Sequence, residues 1–228
     1  VRSLINEDVR FVDGVERDKF KMEALIKSIS RNISTPVNKA TIINDVSNLF
    51  SEEISRPTVD DYLNTLEKLF VLEYVSATNL NLRSSIQLRT NSKLELVDPS
   101  IVIASLGLKK EDLINDLNFT GFIFENMCYR DLKIYAESID AELFYYRDSK
   151  DFEVDFILRT VDGKWGAIEI KLGAGQIDEA AKTLINFKDK VDINKSGEPS
   201  FLMILTGAEL SYVREDGVYV VSIGNLKN

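Results

Sequence analysis

The chain has 228 residues, 44% of them hydrophobic and 29% charged, which suits a globular protein with one large or two small cores. Its formal net charge of −9 disfavours tight, non-specific binding to the phosphates of nucleic acids. Histidine is absent, which excludes histidine-based triads, histidine general bases and zinc sites with histidine ligands. Any chemistry must therefore come from carboxylates, lysine, hydroxyls or a hard metal ion held by oxygen.

The cysteine content and the apolar runs bear on the cellular compartment. Cys128 is the single cysteine, so no internal disulfide can form, and its position in a predicted helix indicates a small buried residue rather than a reactive thiol. No apolar run approaches the roughly 18–20 residues that a bilayer requires. We therefore expect a cytoplasmic protein. Because the sequence begins with Val1, we also expect it to be a fragment of a longer protein.

The N-terminal part, residues 1–35, is predicted to be a helical linker. Its apolar residues recur with helical spacing, and Asp18 precedes them as an N-cap. The expected buried stripe consists of Phe20, Ala24, Leu25 and Ile29.

Residues 36–97 have the outline of a winged helix-turn-helix. Asn38 can cap a first helix, and Ser55 opens a second one after a short polar connection. The apolar stripe of the second helix is predicted to consist of Val59, Tyr62, Leu63, Leu66, Leu69 and Phe70. Two strands, 71–75 and 93–97, then complete the helix–turn–helix–ribbon order of this motif.

The charge of this segment leaves its role open. It contains six Lys/Arg residues and eight Asp/Glu residues, and the second helix carries Asp60 and Asp61 at its start, where they would meet phosphates unfavourably. A protein-interaction module, a rigid spacer and a DNA-reading transcription regulator are all compatible with this pattern. The basic groups of the predicted wing are Arg83, Arg89 and Lys93.

Residues 98–118 are predicted to be a connector with short helices, and residues 119–228 to be an α/β domain with a mixed sheet. The domain begins with a helix over 121–137, and a second helix covers 177–190. The predicted strands cover 142–146, 153–160, 165–172, 201–206 and 218–223. Tyr145, Tyr146 and Trp165 could stack on bases, but their apolar neighbours favour packing in the core.

Two of these strands hold the residues that can carry chemistry. Side chains alternate along a strand, so Glu169 and Lys171 share one face while Ile168 and Ile170 are buried on the other. Together with Asp155 they have the Asp…Glu-x-Lys spacing of a Mg²⁺-dependent phosphodiesterase, in which two carboxylates hold a hard cation and the lysine orients the attacking water. The alternative is a solvated strand face with a cross-strand salt bridge.

The turn between the strands decides whether these groups meet. A two-residue loop at Asp162-Gly163 would place Asp155 opposite Ile170, on the wrong face. A three-residue loop with Gly163 in the left-handed region places Asp155 opposite Glu169. We predict the three-residue loop, because a structural sheet has little reason to set two carboxylates against each other.

Three further residues are candidates for the same site. Glu125 lies early in the preceding helix, beside its buried stripe, and would support a second ion or the lysine. Arg147 could contact a substrate phosphate, or could form a salt bridge with Asp148 or Glu153. Gln176 follows the motif strand and could touch substrate, although the segment 173–176 is typical of a turn that leads into a helix.

Several segments resemble a known family. They cover residues 121–126, 145–148, 153–156 and 168–171, and also 58–67 and 93–98 upstream. Together they resemble a domain of unknown function that lies at the C-terminus of many prokaryotic AAA+-type ATPases. The resemblance extends over nearly the whole chain from about residue 20.

The resemblance implies a winged helix joined to a PD-(D/E)xK nuclease-like domain of the restriction-endonuclease type. On that basis Asp155, Glu169 and Lys171 are the core motif, and Glu125 is its helical acid. The chain has no Gly-x-x-x-x-Gly-Lys-Ser/Thr loop, so ATP would bind only to an N-terminal ATPase domain outside it.

Two functional hypotheses follow. In the first, the chain is the nuclease-like, DNA-associated C-terminal region of an AAA+-ATPase-like protein, with Asp155 and Glu169 holding Mg²⁺ for phosphodiester hydrolysis. In the second, the same fold is a non-catalytic regulatory or protein-interaction module that docks a partner or the ATPase domain.

Overall fold

The computed structural model describes residues 4–9, 12–50, 53–78, 80–81 and 91–226. The fold is mixed α/β and divides into two compact units. The first unit consists of Val1–Tyr74 and Asn91–Met127, and the second of Val75–Thr90 and Cys128–Asn228. No helix among the described residues is long and apolar enough to cross a bilayer.

The first unit is mainly helical. Its elements are a π-helical turn at Leu4–Asp8, α1 at Lys19–Arg31, α2 at Lys39–Phe50, α3 at Arg56–Lys68, β1 at Leu72–Val75, β2 at Lys93–Leu96, α4 at Pro99–Leu106, α5 at Lys110–Asn115 and the first part of α6 at Leu117–Ser138. The two strands form a small ribbon. The predicted order of two helices followed by a ribbon is therefore present, while its function as a winged helix stays a prediction.

Local sequence explains where these helices begin. The Asp18 side chain accepts hydrogen bonds from the N–H groups at the start of α1, as predicted. Asn38 accepts from the Thr41 N–H at 2.8 Å ahead of α2, and Ser55 accepts from the Thr58 N–H at 3.3 Å ahead of α3. Because each cap satisfies an N–H that the helix leaves unpaired, the sequence fixes these starts without help from the rest of the fold.

Two of the predicted buried positions are wrong. The Phe20 residue is 73% exposed and Phe70 is 80% exposed. Helix α1 buries Met22 and Ile26 in place of Phe20, because the rest of the unit packs against a wider face than the predicted stripe. Phe70 lies beyond the end of α3 with a φ of 54°, so it no longer follows the helical spacing that predicted its burial.

The predicted basic wing needs a correction. Lys93 is only 1% exposed and its Nζ lies 2.9 Å from Glu125 Oε1, so its ammonium group belongs to a buried ion pair and is not presented to nucleic acid. Arg83 and Arg89 lie outside the described residues. The described part of the wing therefore offers none of the basic contacts that a DNA-reading role was expected to use.

The second unit is built on a mixed sheet. Its elements are the rest of α6, β3 at Ala141–Arg147, β4 at Glu153–Thr160, β5 at Trp165–Lys171, a 3₁₀ turn at Ala174–Gln176, α7 at Ile177–Lys190, α8 at Ile193–Ser196, β6 at Phe201–Thr206, β7 at Tyr212–Val213, β8 at Tyr219–Ser222 and a 3₁₀ turn at Ile223–Asn225. The six strands have the order β3-β4-β5-β6-β8-β7. The antiparallel β3-β4-β5 meander is followed by parallel β6 and β8, which confirms the predicted mixed sheet.

Helices cover both faces of this sheet. Leu184 and Phe187 of α7 share one core with Trp165, Ala167 and other buried residues of the sheet. On the opposite face, the Tyr129 ring of α6 stacks on Phe156 of β4 with ring centroids 5.7 Å apart. The predicted core positions of Tyr145, Tyr146, Trp165 and Cys128 are confirmed, since each is at most 1% exposed. The β4–β5 hairpin, which carries the polar residues of the predicted site, is thus packed between helices on both faces of the sheet.

Candidate functional site

The β4–β5 hairpin has the predicted turn. The Thr160 N–H donates to Lys164 O at 2.9 Å and the Gly163 N–H donates to Thr160 O at 2.9 Å, which leaves residues 161–163 as the loop. Gly163 has a φ of +86°, a value that L side chains rarely adopt. The three-residue loop with a left-handed glycine is therefore confirmed.

This turn sets the register of the hairpin. Phe156 pairs with Ile168 and Arg159 pairs with Trp165, so the next positions along the strands are Asp155 and Glu169. Residues that lie directly opposite each other in an antiparallel pair point to the same face of the sheet. The two carboxylates consequently lie on one face, as the sequence predicted.

A single ammonium group joins the two acids. Lys171 Nζ lies 2.7 Å from Glu169 Oε2 and 3.5 Å from Asp155 Oδ2. The side chains are 13% exposed for Asp155, 5% for Glu169 and 22% for Lys171, so the site is largely shielded from solvent but not closed. Opposed carboxylates would otherwise repel each other by a few tenths to about 1 kcal/mol, and the lysine offsets that repulsion.

A β-bulge at Asp155 was not predicted. Phe144 pairs with Ile157, but the next pair is Tyr146 with Val154, so β4 has one residue more than β3 in this interval. Asp155 lies in the bulge, and its Oδ2 accepts a hydrogen bond of 2.7 Å from the Ile170 N–H. Bulges re-aim side chains and are frequent beside active sites. The bulge depends on the pairing of β4 with β3, and the local sequence of β4 carries no signal that predicts it.

Glu125 has a partner of its own in the first unit. Its Oε1 forms the 2.9 Å ion pair with Lys93, and both side chains are buried. In the second unit, the structure brings together Asp155, Glu169 and Lys171 of the four predicted catalytic residues. The sequence does not predict the pairing of Glu125, because Lys93 lies in a segment with the composition of an exposed wing.

Arg147 and Gln176 are the two residues that were predicted to contact a substrate. Arg147 forms salt bridges with Asp151 at 3.0 Å and Glu153 at 3.5 Å. Of the two alternatives predicted for Arg147, the structure therefore has the salt bridge with Glu153. Gln176 is exposed in the 3₁₀ turn that leads into α7, so the predicted turn after the motif strand is confirmed. Its contact with a substrate stays a prediction.

Asp148, the other expected partner of Arg147, is bound elsewhere. Its side chain is fully buried and its Oδ2 accepts from Lys190 Nζ at 3.0 Å. Burial alone would raise the pKa of Asp148, but hydrogen bonds from Lys190 and from the N–H groups of Lys150 and Phe152 hold the pKa below its ordinary value. This ion pair fastens the β3–β4 loop to the end of α7.

The donor set is compatible with a hydrated magnesium ion. The described residues contain no group of three or more His, Cys, Asp or Glu side chains that could enclose a metal ion. Mg²⁺, however, keeps several waters and is usually held by one or two carboxylates together with substrate phosphates. Asp155 and Glu169 supply two carboxylates on one face of the hairpin, beside Lys171, which is the number of carboxylates that such an ion uses.

Comparison with known proteins gives two domain matches. Residues 120–226 match the family model of a domain of unknown function, DUF4143, which is found in AAA+ ATPase-associated proteins. Residues 1–112 match a second domain of unknown function, DUF8612. The first match agrees with the predicted resemblance to an ATPase-associated domain of unknown function. No curated protein matches the chain.

Two solved structures are similar to the chain at low identity. Protein VC1899 from Vibrio cholerae is 11% identical, with a TM-score of 0.31, over 91% of this chain and 54% of that one. A Thermococcus gammatolerans assembly of McrB AAA+ hexamers with bound McrC is 10% identical, with a TM-score of 0.31, over 90% of this chain and 70% of that one. The chain thus spans about half the length of the Vibrio cholerae protein.

Proposed function

We propose that residues 119–228 form a PD-(D/E)xK nuclease-like domain that hydrolyses phosphodiesters with Mg²⁺, in a DNA-associated protein linked to an AAA+ ATPase. The observation that carries this proposal is the position of the Lys171 ammonium, 2.7 Å from one acid and 3.5 Å from the other. A strand that only needs a salt bridge would use one carboxylate, whereas a hydrolytic site needs two acids and a lysine on one face.

Each side chain has a distinct role in this proposal. Asp155 and Glu169 would hold the ion, which when bound supplies Lewis acidity and lowers the pKa of a coordinated water. Lys171 would orient the attacking water and compensate the charge that develops on the phosphate. The hydrogen bond from the Ile170 N–H fixes the Asp155 carboxylate, so that the acid is preorganised by the backbone of the neighbouring strand.

The substrate and the partner follow from the same proposal. Arg147, when released from Asp151 and Glu153, would contact a phosphate beside the hairpin, and Gln176 would reach the substrate from the exposed turn after β5. The ATP-binding function would belong to an ATPase domain outside this chain, which would be its principal partner. DNA would be held by this combined assembly, since the chain itself has a net charge of −9.

The test is a cleavage assay on mixed DNA and RNA with Mg²⁺ or Mn²⁺. We expect cleavage that Asp155→Ala and Glu169→Gln reduce by about 100-fold or more, while Lys171→Gln lowers the rate and retains cation binding. Matched controls are Lys164→Gln and Glu215→Gln, which remove the charge of exposed residues in two other turns of the second unit. Absence of cleavage with all substrates, or cleavage that survives Asp155→Ala, refutes the enzymatic proposal.

A second function is favoured by how completely the three groups satisfy one another. Asp155 accepts a backbone N–H, and both acids contact the single ammonium group of Lys171. This arrangement suits a non-catalytic module that uses the nuclease-like fold to dock the ATPase domain or a regulatory partner. A calorimetric titration separates the two functions: micromolar Mg²⁺ or Mn²⁺ binding that Glu169→Gln abolishes contradicts the docking module.

A further inference from the structure

A buried polar cluster lies between β2 and α6 in the first unit, apart from the candidate site. Glu95 and Asn126 are 0% exposed and Ser34 is 2% exposed. Glu95 Oε2 accepts from Asn126 Nδ2 at 2.9 Å and from Ser34 Oγ at 3.0 Å. Asn126 Nδ2 also donates to Leu96 O at 2.7 Å, which ties the helix to the strand.

Two oxygens of this cluster lack a donor. Glu95 Oε1 and Asn126 Oδ1 are both buried and accept no hydrogen bond from the described residues. A buried polar atom without a partner is unfavourable because it loses its hydrogen bond to water, so two of them on contacting side chains indicate that a donor is missing. Both atoms are acceptors when Glu95 is ionised, and neither can satisfy the other.

One proton supplies this donor. A protonated Glu95 carries an O–H on Oε1 and keeps Oε2 as the acceptor for the Asn126 amide. The acid and the amide can then bond reciprocally, with Asn126 Nδ2 donating to Glu95 Oε2 and Glu95 Oε1 donating to Asn126 Oδ1. A metal cation is a poorer candidate for this position, because the ammonium group of Lys93 on the same strand acts on Glu95 electrostatically.

The groups around Glu95 shift its pKa in both directions. Burial raises the pKa of Glu95 to about 7; Lys93 and the hydrogen bonds from Asn126 and Ser34 oppose this rise, and Glu73 on β1 adds to it. Glu125 on α6 acts through Lys93, with which it forms the 2.9 Å ion pair. Desolvation outweighs the favourable contacts, since the carboxyl group is fully buried.

We propose that Glu95 is protonated in the folded protein below neutral pH, that it forms a reciprocal acid–amide pair with Asn126, and that this pair is a pH-sensitive latch between β2 and α6. Above neutral pH the proton is lost, and Glu95 Oε1 and Asn126 Oδ1 are then two acceptors in the core of the first unit without a donor among the described residues. The latch therefore holds more firmly in weakly acidic than in alkaline solution.

The first test observes the proton directly. In the wild-type chain with ¹³C-labelled glutamate side chains, the carboxyl resonance that is absent from Glu95→Gln should titrate within one unit of pH 7. If that resonance titrates near pH 4 to 5, as an ordinary glutamate does, Glu95 is ionised in the folded protein and a trapped water must fill the gap. That outcome overturns the proposal.

The second test measures the latch by hydrogen exchange of the amides in β2 and α6. Glu95→Gln supplies a permanent N–H donor toward Asn126 Oδ1, so it imitates the protonated acid. Comparing the variant with the wild type at the same pH cancels the intrinsic pH dependence of exchange. We expect nearly equal protection at pH 4, below the ordinary pKa of a glutamate, and at least tenfold stronger protection of the variant at pH 8. Glu53→Gln, an exposed control in the same unit, should match the wild type at both pH values. Equal protection of Glu95→Gln and the wild type at pH 8 overturns the proposal.

Discussion

Removal of the buried carboxylate of Asp148 provides a direct test of how the second unit is held together. Asp148 Oδ1 accepts from the N–H groups of Lys150 and Phe152, at 2.8 and 3.1 Å, and Oδ2 accepts from Lys190 Nζ at 3.0 Å. In Asp148→Asn, the amide oxygen can keep the two backbone bonds. The amide nitrogen then faces the ammonium group, so the variant loses the ion pair and sets two donors against each other.

The size of the effect follows from burial and exposure. Breaking a buried ion pair costs about 3–5 kcal/mol, and a single hydrogen bond to a charged group contributes about 1.5–3 kcal/mol. Because the Lys190 side chain is 28% exposed and can regain some hydration, we expect Asp148→Asn to lower the free energy of unfolding by about 2 kcal/mol. Lys190→Met should cost at least as much, since it leaves the Asp148 charge buried and also removes the ammonium group that lies 3.5 Å from the centroid of the Phe152 ring.

The pH dependence has a defined sign. The pKa of Asp148 is lowered in the folded protein from an ordinary value of 3.8, so the carboxylate stabilises the fold fully above that value. This stabilisation is lost as the pH falls through the folded pKa. The difference between the wild type and Asp148→Asn should therefore be constant from pH 5 to pH 7 and decrease below about pH 4.

The single tryptophan makes the measurement specific to the second unit. Trp165 is 1% exposed and its ring lies 5.9 Å from that of Phe187, so its fluorescence during urea unfolding reports on this core. A double-mutant cycle with Asp148→Asn and Lys190→Met should give a coupling free energy of about 1–2 kcal/mol. A coupling energy near zero, or an undiminished difference at pH 3, would refute the argument.

Three further predictions concern other buried contacts. Glu125→Gln should lower the stability of the first unit by about 3 kcal/mol, because it leaves Lys93 buried without its counter-charge, and hydrogen exchange of β2 measures this. Glu95→Gln should be more stable than the wild type at pH 8, by at most about 3 kcal/mol, since the pKa of Glu95 is raised from 4.5 to about 7 and each unit corresponds to about 1.4 kcal/mol; equal stability at pH 8 would contradict it. Gly166→Ala places a Cβ against the Phe201 ring, well inside van der Waals contact, and should cost about 1–3 kcal/mol by urea unfolding, an effect that should decrease in a Phe201→Leu background.

Much of the second unit could be predicted because its signals are local. The pattern of apolar residues defined the five predicted strands to within one residue, although it missed the short strand β7. Gly163 determined the turn, since few other residues adopt its φ of +86°. This turn then set the register of β4 and β5, which placed Asp155 on the same face as Glu169 and Lys171. The sequence alone therefore determined the position of the candidate site on the hairpin, because the spacing of side chains along two joined strands is purely local geometry.

Only the tertiary structure decided which charged groups are buried and with whom. Lys93 and Glu95 lie on a strand whose sequence is typical of an exposed ribbon, yet both are in the core. They are buried because Glu125 and Asn126, which lie 30 or more residues further along the chain, pack against them. The bulge at Asp155 likewise depends on β3, a neighbour that the sequence of β4 does not specify. Burial of a polar residue is a property of what packs against it, and periodicity along one segment carries no information about that partner.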